Sequence, residues 1–221
     1  MLPEDSRWFV KSFSNEGDTG CDSFFGRGTN LIAAAYEGRK IIGWDLSKAN
    51  LDAVKNTCIE YTSINPQNVQ LHHTCGVEMA ELSDSENIID LALTDIPYFQ
   101  AEIYNPDDLR DLGNIKKIDE FLEKIEKYLI NIKRLIRSSS YTSKIYKPVI
   151  IKCGTKRLGK LGVIDLGTEI EIIARKVGLT LHDKIYNELR SSFTGYGLKQ
   201  GIENRYTIKS HETNLVFLKY D

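Results

Sequence analysis

Two short segments combine residue types that could act on one ligand. The first, Asp22-Ser23-Phe24-Phe25-Gly26-Arg27-Gly28-Thr29-Asn30, sets a G-x-G turn before a run of helix formers. Glycine at positions 26 and 28 tolerates positive φ and lets the backbone approach a bound molecule closely, and a helix opening behind the turn presents free N–H groups. Asp45 follows Gly28 by 17 residues, where a carboxylate can accept hydrogen bonds from both hydroxyls of a ribose. A dinucleotide fingerprint wants a third glycine, whereas position 31 is Leu and the next glycine is Gly38, so the pattern favours a nucleoside-bearing ligand without a pyrophosphate over NAD. The second segment is Thr94-Asp95-Ile96-Pro97-Tyr98-Phe99. An acid, a rigid turn and two exposed aromatics suit a flat heteroaromatic amine, which needs acceptors for its NH2 and a ring to stack on. Taken alone, the same segment also fits a turn whose aromatics pack inward.

Both segments must sit at the ends of strands. Short β-branched runs alternate with longer helical ones, the pattern of βα units. Strands are expected near 18–25, at 40–45 (KIIGWD), 69–73, 88–94 (IIDLALT), 148–153 (PVIIKC), 179–188 and 213–220. Helices are expected over 31–36, over 50–59 behind a Ser47 cap, over 118–137, and over 166–177 with Gly178 as the stop. The long one rests on Ile118, Phe121, Leu122, Ile125, Leu129, Ile132 and Leu135, which recur at helical spacing. Strands joined by helices imply an α/β fold with a mostly parallel, doubly wound sheet, whose ligands bind at the carboxyl ends of the strands.

Composition sets the outer bounds. The 221 residues are 41% hydrophobic, 27% charged and 10% aromatic, which excludes a disordered, collagen-like or mucin-like chain. Apolar runs of five or six residues fall far short of the ~20 needed to cross a bilayer, and the N-terminus MLPEDSRWFV has no signal-peptide core, so a cytoplasmic protein of one domain, residues 1–221, is expected. Cys21, Cys58, Cys75 and Cys153 lack any C-x-x-C spacing, so free thiols in the core are expected, and no metal. His72, His73 and His211 pair with no serine or cysteine nucleophile. The net charge of −2 conceals a split: residues 1–132 hold 12 Lys and Arg against 23 Asp and Glu, while residues 133–221 hold 17 against 8. One face could therefore meet a polyanion, although a merely solvated surface fits as well.

Together the two segments resemble the amino-group DNA methyltransferases, which methylate the exocyclic nitrogen of adenine or cytosine. The family's first motif, D-P-F-x-G-x-G-T, is matched by Asp22, Phe24, Gly26, Gly28 and Thr29, and its catalytic motif, (D/N/S)-P-P-Y, by Asp95, Pro97 and Tyr98. Residues 112–122 (LGNIKKIDEFL) and Ser210-His211-Glu212 before the final apolar strand resemble the corresponding flanks. Ser23 and Ile96 depart from the pattern, each standing where the family has proline. The resemblance implies a Rossmann-like class I methyltransferase fold with an antiparallel strand near the C-terminus, S-adenosylmethionine as cofactor, and the setting of restriction–modification.

It also implies roles. Asp22, Phe24, Gly26, Gly28, Thr29 and Asp45 would bind the cofactor. Asp95 and the Ile96 carbonyl would hold the amine of a flipped base, with Pro97 and Tyr98 completing the catalytic turn. The segment 190–206 (RSSFTGYGLKQGIENRY) would meet double-stranded DNA through Arg190, Phe193, Tyr196, Lys199 and Arg205, since cations suit phosphates and aromatics suit unstacked bases. A surface hairpin is the plain alternative for that segment. Residues 100–114 would close over the base. No separate target-recognition domain is evident, so sequence reading would fall to loops or to a partner specificity subunit. An RNA (tRNA) methyltransferase, or a degenerate homologue that only binds nucleic acid, remains open at this point.

Overall fold

The structure, a computed structural model, describes residues 1–100, 108–142, 146–157, 162–188 and 211–220, together with Lys199 and Glu203. The first half runs α1 (Pro3–Phe13), β1 (Thr19–Asp22), α2 (Thr29–Tyr36), β2 (Lys40–Asp45), α3 (Lys48–Glu60), β3 (Val69–His73) and β4 (Leu91–Asp95). The second runs α4 (Ile118–Leu135), β5 (Pro148–Cys153), β6 (Thr155–Arg157), β7 (Val163–Asp165), α5 (Leu166–Lys176), β8 (Thr180–Glu188) and β9 (His211–Leu218). Seven strands form one sheet in the order β3-β2-β1-β4-β5-β9-β8. Only β9 runs antiparallel to its neighbours in that sheet.

Side-chain alternation shows why the sheet is covered on both faces. Leu91 and Leu93 of β4, Ile150 of β5 and Val216 of β9 join one core with Phe9, Val10, Leu31 and Val54 from α1, α2 and α3. Ala92, Val149, Ile151, Leu215 and Phe217 join the other, with Phe121, Ile125 and Leu129 of α4 and Ile170 of α5. All four cysteines are buried within these cores. Among the described residues no helix is long and apolar enough to cross a membrane.

Three differences from the sequence reading have physical causes. α1 was not expected; its Pro3 sits at the start, where a missing N–H costs nothing, and its buried face is Ser6, Phe9 and Val10, only two of them apolar. α4 stops at Leu135 because Ile136 turns extended and bridges Ile89, which in turn delays the start of β4 to Leu91. The β6–β7 hairpin pairs strands of three residues each, too short for any periodicity to register.

Beside the start of β4, buried Asp90 accepts from the Thr19 N–H at 2.9 Å and pairs with Arg137 and, at 2.9 Å, with Lys147. Burial pushes its carboxyl up, but Arg137, the Thr19 N–H and Lys147 together hold it below the ordinary value. A depressed folded value contributes stability above the unfolded pKa that is lost as pH falls through the folded one. Asp90→Asn is therefore expected to cost about 3 kcal/mol in urea denaturation at pH 7, with the gap to the wild type closing below about pH 4.

Candidate active site

The strand order reverses direction between β1 and β4, so the loops leaving these two strands part to either side and open a crevice at their carboxyl ends. A cavity of about 700 Å³ fills this crevice, and its lining includes the 22–30 turn, Asp45 and residues 95–98. The two segments singled out in the sequence thus face one space from adjoining strands.

Asp22 ends β1 and is buried. Its Oδ1 accepts from the Thr94 hydroxyl at 2.5 Å and the Phe24 N–H at 3.0 Å, and its Oδ2 from Asn30 Nδ2 at 2.9 Å. Asn30 in turn accepts from the Ser6 hydroxyl at 2.7 Å, tying α1 to the turn. Burial pushes the Asp22 carboxyl up to about 7 despite these donors, and the charge of Asp95 adds to the rise. For an acid with a raised folded pKa the contribution to stability is fully present below the unfolded value near 4 and is lost as pH rises through about 7. Asp22→Asn is expected to flatten the stability profile between about pH 4 and pH 7, read by urea titration across that range. An unchanged slope there would mean that Asp22 does not titrate in this window.

The two turn glycines serve different ends. Gly28 has φ +80°, and a Cβ there would lie 2.2 Å from Val54 Cγ2, so α3 packs directly on the turn. Gly26 has φ +51° with nothing within 4 Å of its would-be Cβ, which leaves open space beside the backbone at that point. Its N–H donates to Asp45 Oδ2 at 2.8 Å. Asp45 Oδ1 accepts from the Ser47 N–H at 2.7 Å and Asn50 Nδ2 at 3.1 Å. Three of its roughly four acceptor positions are engaged by the protein. Ser47 caps α3, accepting from the Asn50 N–H as expected.

Across the crevice, Asp95 ends β4. Its side chain lines the cavity, and its buried Oδ1 has no hydrogen-bond partner among the described residues. Its Oδ2 lies against the Met1 nitrogen. Ile96 is buried and its N–H donates to the Lys152 carbonyl at 3.2 Å, extending the β4–β5 ladder past Asp95. A proline has no such N–H. Where the family fixes this position with a ring, the chain here uses a ladder bond, and the Ile96 side chain packs in the core on the α4 side. Tyr98 lines the cavity and its hydroxyl donates to Glu212 Oε1 at 2.6 Å. Burial and this carboxylate push its phenol pKa far up, so Tyr98 stays neutral.

The two aromatics expected to be exposed are not: Tyr98 is half-buried in the cavity wall. Phe99 is buried and meets Phe121 edge-on at 5.5 Å, because the backbone after Pro97 turns its side chain into the α4 core. His211 is exposed against Tyr186, away from the cavity, while Glu212 faces in. Of the expected nucleic-acid residues, Arg190, Phe193, Tyr196 and Arg205 lie outside the described residues; Lys199 is exposed. In the 100–114 stretch, residues 101–107 lie outside them too, and Arg110, Asp111 and Leu112 line the cavity. Sequence reasoning missed Cys75, Gly76 and Lys152, all on the cavity wall. A lysine closing the apolar run PVIIKC was a visible signal; Gly76 had none, being close to the turn only in three dimensions. Among the described residues no cluster of His, Cys, Asp and Glu could hold a metal ion.

Residues 6–56, which include the 22–30 turn and Asp45, match a family described as DNA methylase, and so support the resemblance to the amino-group DNA methyltransferases. No curated protein matches the chain in sequence. Solved structures match its fold. A TehB-like SAM-dependent methyltransferase from Corynebacterium glutamicum aligns with 97% of this chain and 86% of its own at 16% identity, TM-score 0.57. A candidate RNA methyltransferase from Pyrococcus horikoshii aligns over 99% and 83% at 13% identity, TM-score 0.58. Phosphoethanolamine N-methyltransferase 2 from Haemonchus contortus, in complex with phosphomonomethylethanolamine and S-adenosylhomocysteine, aligns over 99% of this chain at 17% identity, TM-score 0.59. The chain spans about half of that protein, 53%. With the strand order, these likenesses make the fold the Rossmann-like one of S-adenosylmethionine-dependent methyltransferases.

Proposed function

We propose that residues 1–221 form a single S-adenosylmethionine-dependent methyltransferase domain of the amino-group DNA methyltransferase family, acting on the exocyclic amine of a flipped adenine or cytosine. The observation that carries this reading is the buried, unpartnered Asp95 Oδ1, standing in the same cavity as the Gly26 turn and Asp45. A buried acceptor left unpaired is costly, and an incoming N–H would relieve it.

The residues fit the cofactor. Open backbone at Gly26 admits a close approach, and Asp45 keeps one acceptor position for a ribose hydroxyl. Phe24 and Thr29 complete the wall. S-adenosylmethionine, when bound, supplies an electrophilic methyl group on a sulfonium. Asp95 Oδ1 and the Ile96 carbonyl accept the two amine hydrogens, which draws the nitrogen lone pair out of conjugation with the ring. Tyr98 stacks on the base and fixes its plane. Once the amine nitrogen has taken the methyl group, Asp95 would accept its surplus proton along the same hydrogen bond. Placement of the two reactants can supply ~7–11 kcal/mol of the barrier.

Transfer of a tritiated methyl group to double-stranded DNA, compared with tRNA, tests the reading; label in tRNA alone would redirect it to RNA. Calorimetric titration with S-adenosylmethionine separates an intact pocket from a relic that binds only nucleic acid. Sequencing sensitive to modified bases then distinguishes adenine from cytosine and reports the context. For the interface we assign Arg190, Phe193, Tyr196, Lys199 and Arg205. Replacing Lys199 and Arg205 together by Gln is expected to lower the slope of log affinity against log salt by about 2 in fluorescence anisotropy. An unaltered slope would place the DNA elsewhere.

A further inference from the structure

β5 and β9 bring a lysine and a glutamate to the cavity that the mechanism above does not use. Asp95 and Lys152 are register partners on β4 and β5. Lys152 Nζ lies 2.7 Å from Glu212 Oε2 and 3.9 Å from Asp95 Oδ2. The other oxygen of Glu212 accepts from Tyr98 at 2.6 Å. An ammonium and a carboxylate from two strands thus join the two ends of the catalytic turn, its acid and its aromatic ring. Both side chains are largely buried, 14% and 15% exposed, so the charges interact through little water.

The geometry points to Lys152 and Glu212 as positioning residues for the methyl transfer: through one ion pair they fix the place of the Asp95 carboxylate and hold the Tyr98 phenol beside the base. This inference rests on the function proposed above. Asp95 and Glu212 both line the cavity, with Lys152 in reach of each, and the Met1 nitrogen lies against Asp95 Oδ2 as well. Burial works against the Lys152 ammonium, but Asp95 and Glu212 outweigh it and keep it charged. The pair also explains the chemistry at Tyr98: an acceptor on the phenol fixes the ring about its long axis, which an apolar neighbour would not do.

The test is kcat for methyl transfer in Lys152→Met, Lys152→Arg and Glu212→Gln, with affinity for S-adenosylmethionine measured alongside by calorimetry. Lys152→Met and Glu212→Gln should each lower kcat about tenfold while that affinity stays within about twofold of the wild type. Lys152→Arg, which keeps the ion pair, should recover most of the loss. A fall in cofactor affinity parallel to that in kcat, or an arginine variant no better than the methionine one, overturns the inference. Should Lys152→Met fail to fold, Glu212→Gln still decides it by whether kcat falls while cofactor affinity holds. A wild type that methylates neither DNA nor RNA would refute the proposed function instead. The pair is then read from the Lys152 ammonium by nitrogen-15 NMR: slow hydrogen exchange lost in Glu212→Gln supports it, and exchange as fast as an exposed lysine's refutes it.

Discussion

Asp95→Ala is expected to lower methyl transfer by about 10³-fold while changing affinity for S-adenosylmethionine less than about threefold. The asymmetry follows from place. The Asp95 carboxylate ends β4, across the crevice from the Gly26 turn and Asp45, and its hydrogen bond goes to the Met1 nitrogen rather than to that turn. In the proposed mechanism Asp95 accepts from the substrate amine, and that interaction would be strongest as the nitrogen gains positive charge. Asp95→Asn keeps an acceptor oxygen of the same reach but loses the charge, and should fall between, near a 10²-fold loss. Single-turnover transfer of tritiated methyl measures both, with calorimetry for the cofactor. Turnover in the alanine variant comparable to the wild type would remove Asp95 from the mechanism.

Gly76→Ala is expected to be the most damaging single methyl group in the molecule. A Cβ at Gly76 would lie 1.7 Å from the Ser23 carbonyl oxygen and 2.7 Å from its carbon, and these are backbone atoms that no rotamer change can clear. Ser23 sits between Asp22 and Phe24, so the turn would have to move as a whole. The cost is expected near 3 kcal/mol in urea denaturation, with at least a tenfold weaker affinity for S-adenosylmethionine. Gly26→Ala is the control. Its Cβ would meet nothing, and only the positive φ resists it, at about 1 kcal/mol. If Gly76→Ala binds the cofactor as the wild type does, the loop after β3 does not hold the turn in shape.

Much of this could be read along the chain. KIIGWD and PVIIKC form strands over the expected residues because a strand buried between helices is a nearly unbroken apolar run, while VQLHH forms a half-exposed strand at the sheet edge. Asp22, Asp45 and Asp95 each close such a run, so their arrival at one rim follows from strand direction alone. Phe99 was misplaced because an aromatic one step past a turn can point either way, and only the presence of Phe121 beneath it decides which. The N-terminal helix escaped notice because two buried apolar residues give too little periodicity to detect.

What the amino-acid sequence determined by itself was local: which runs extend, where glycine permits a turn, and which acids end the strands. Only the tertiary structure decided the neighbours of those acids. Lys152 reaches Asp95 because β5 pairs with β4 in register, Glu212 reaches Lys152 because β9 inserts antiparallel beside β5, and Gly76 meets Ser23 across two loops. Such contacts join residues separated by tens of positions, and they form where hydrophobic burial on both faces selects one strand order, information that no short window of sequence contains.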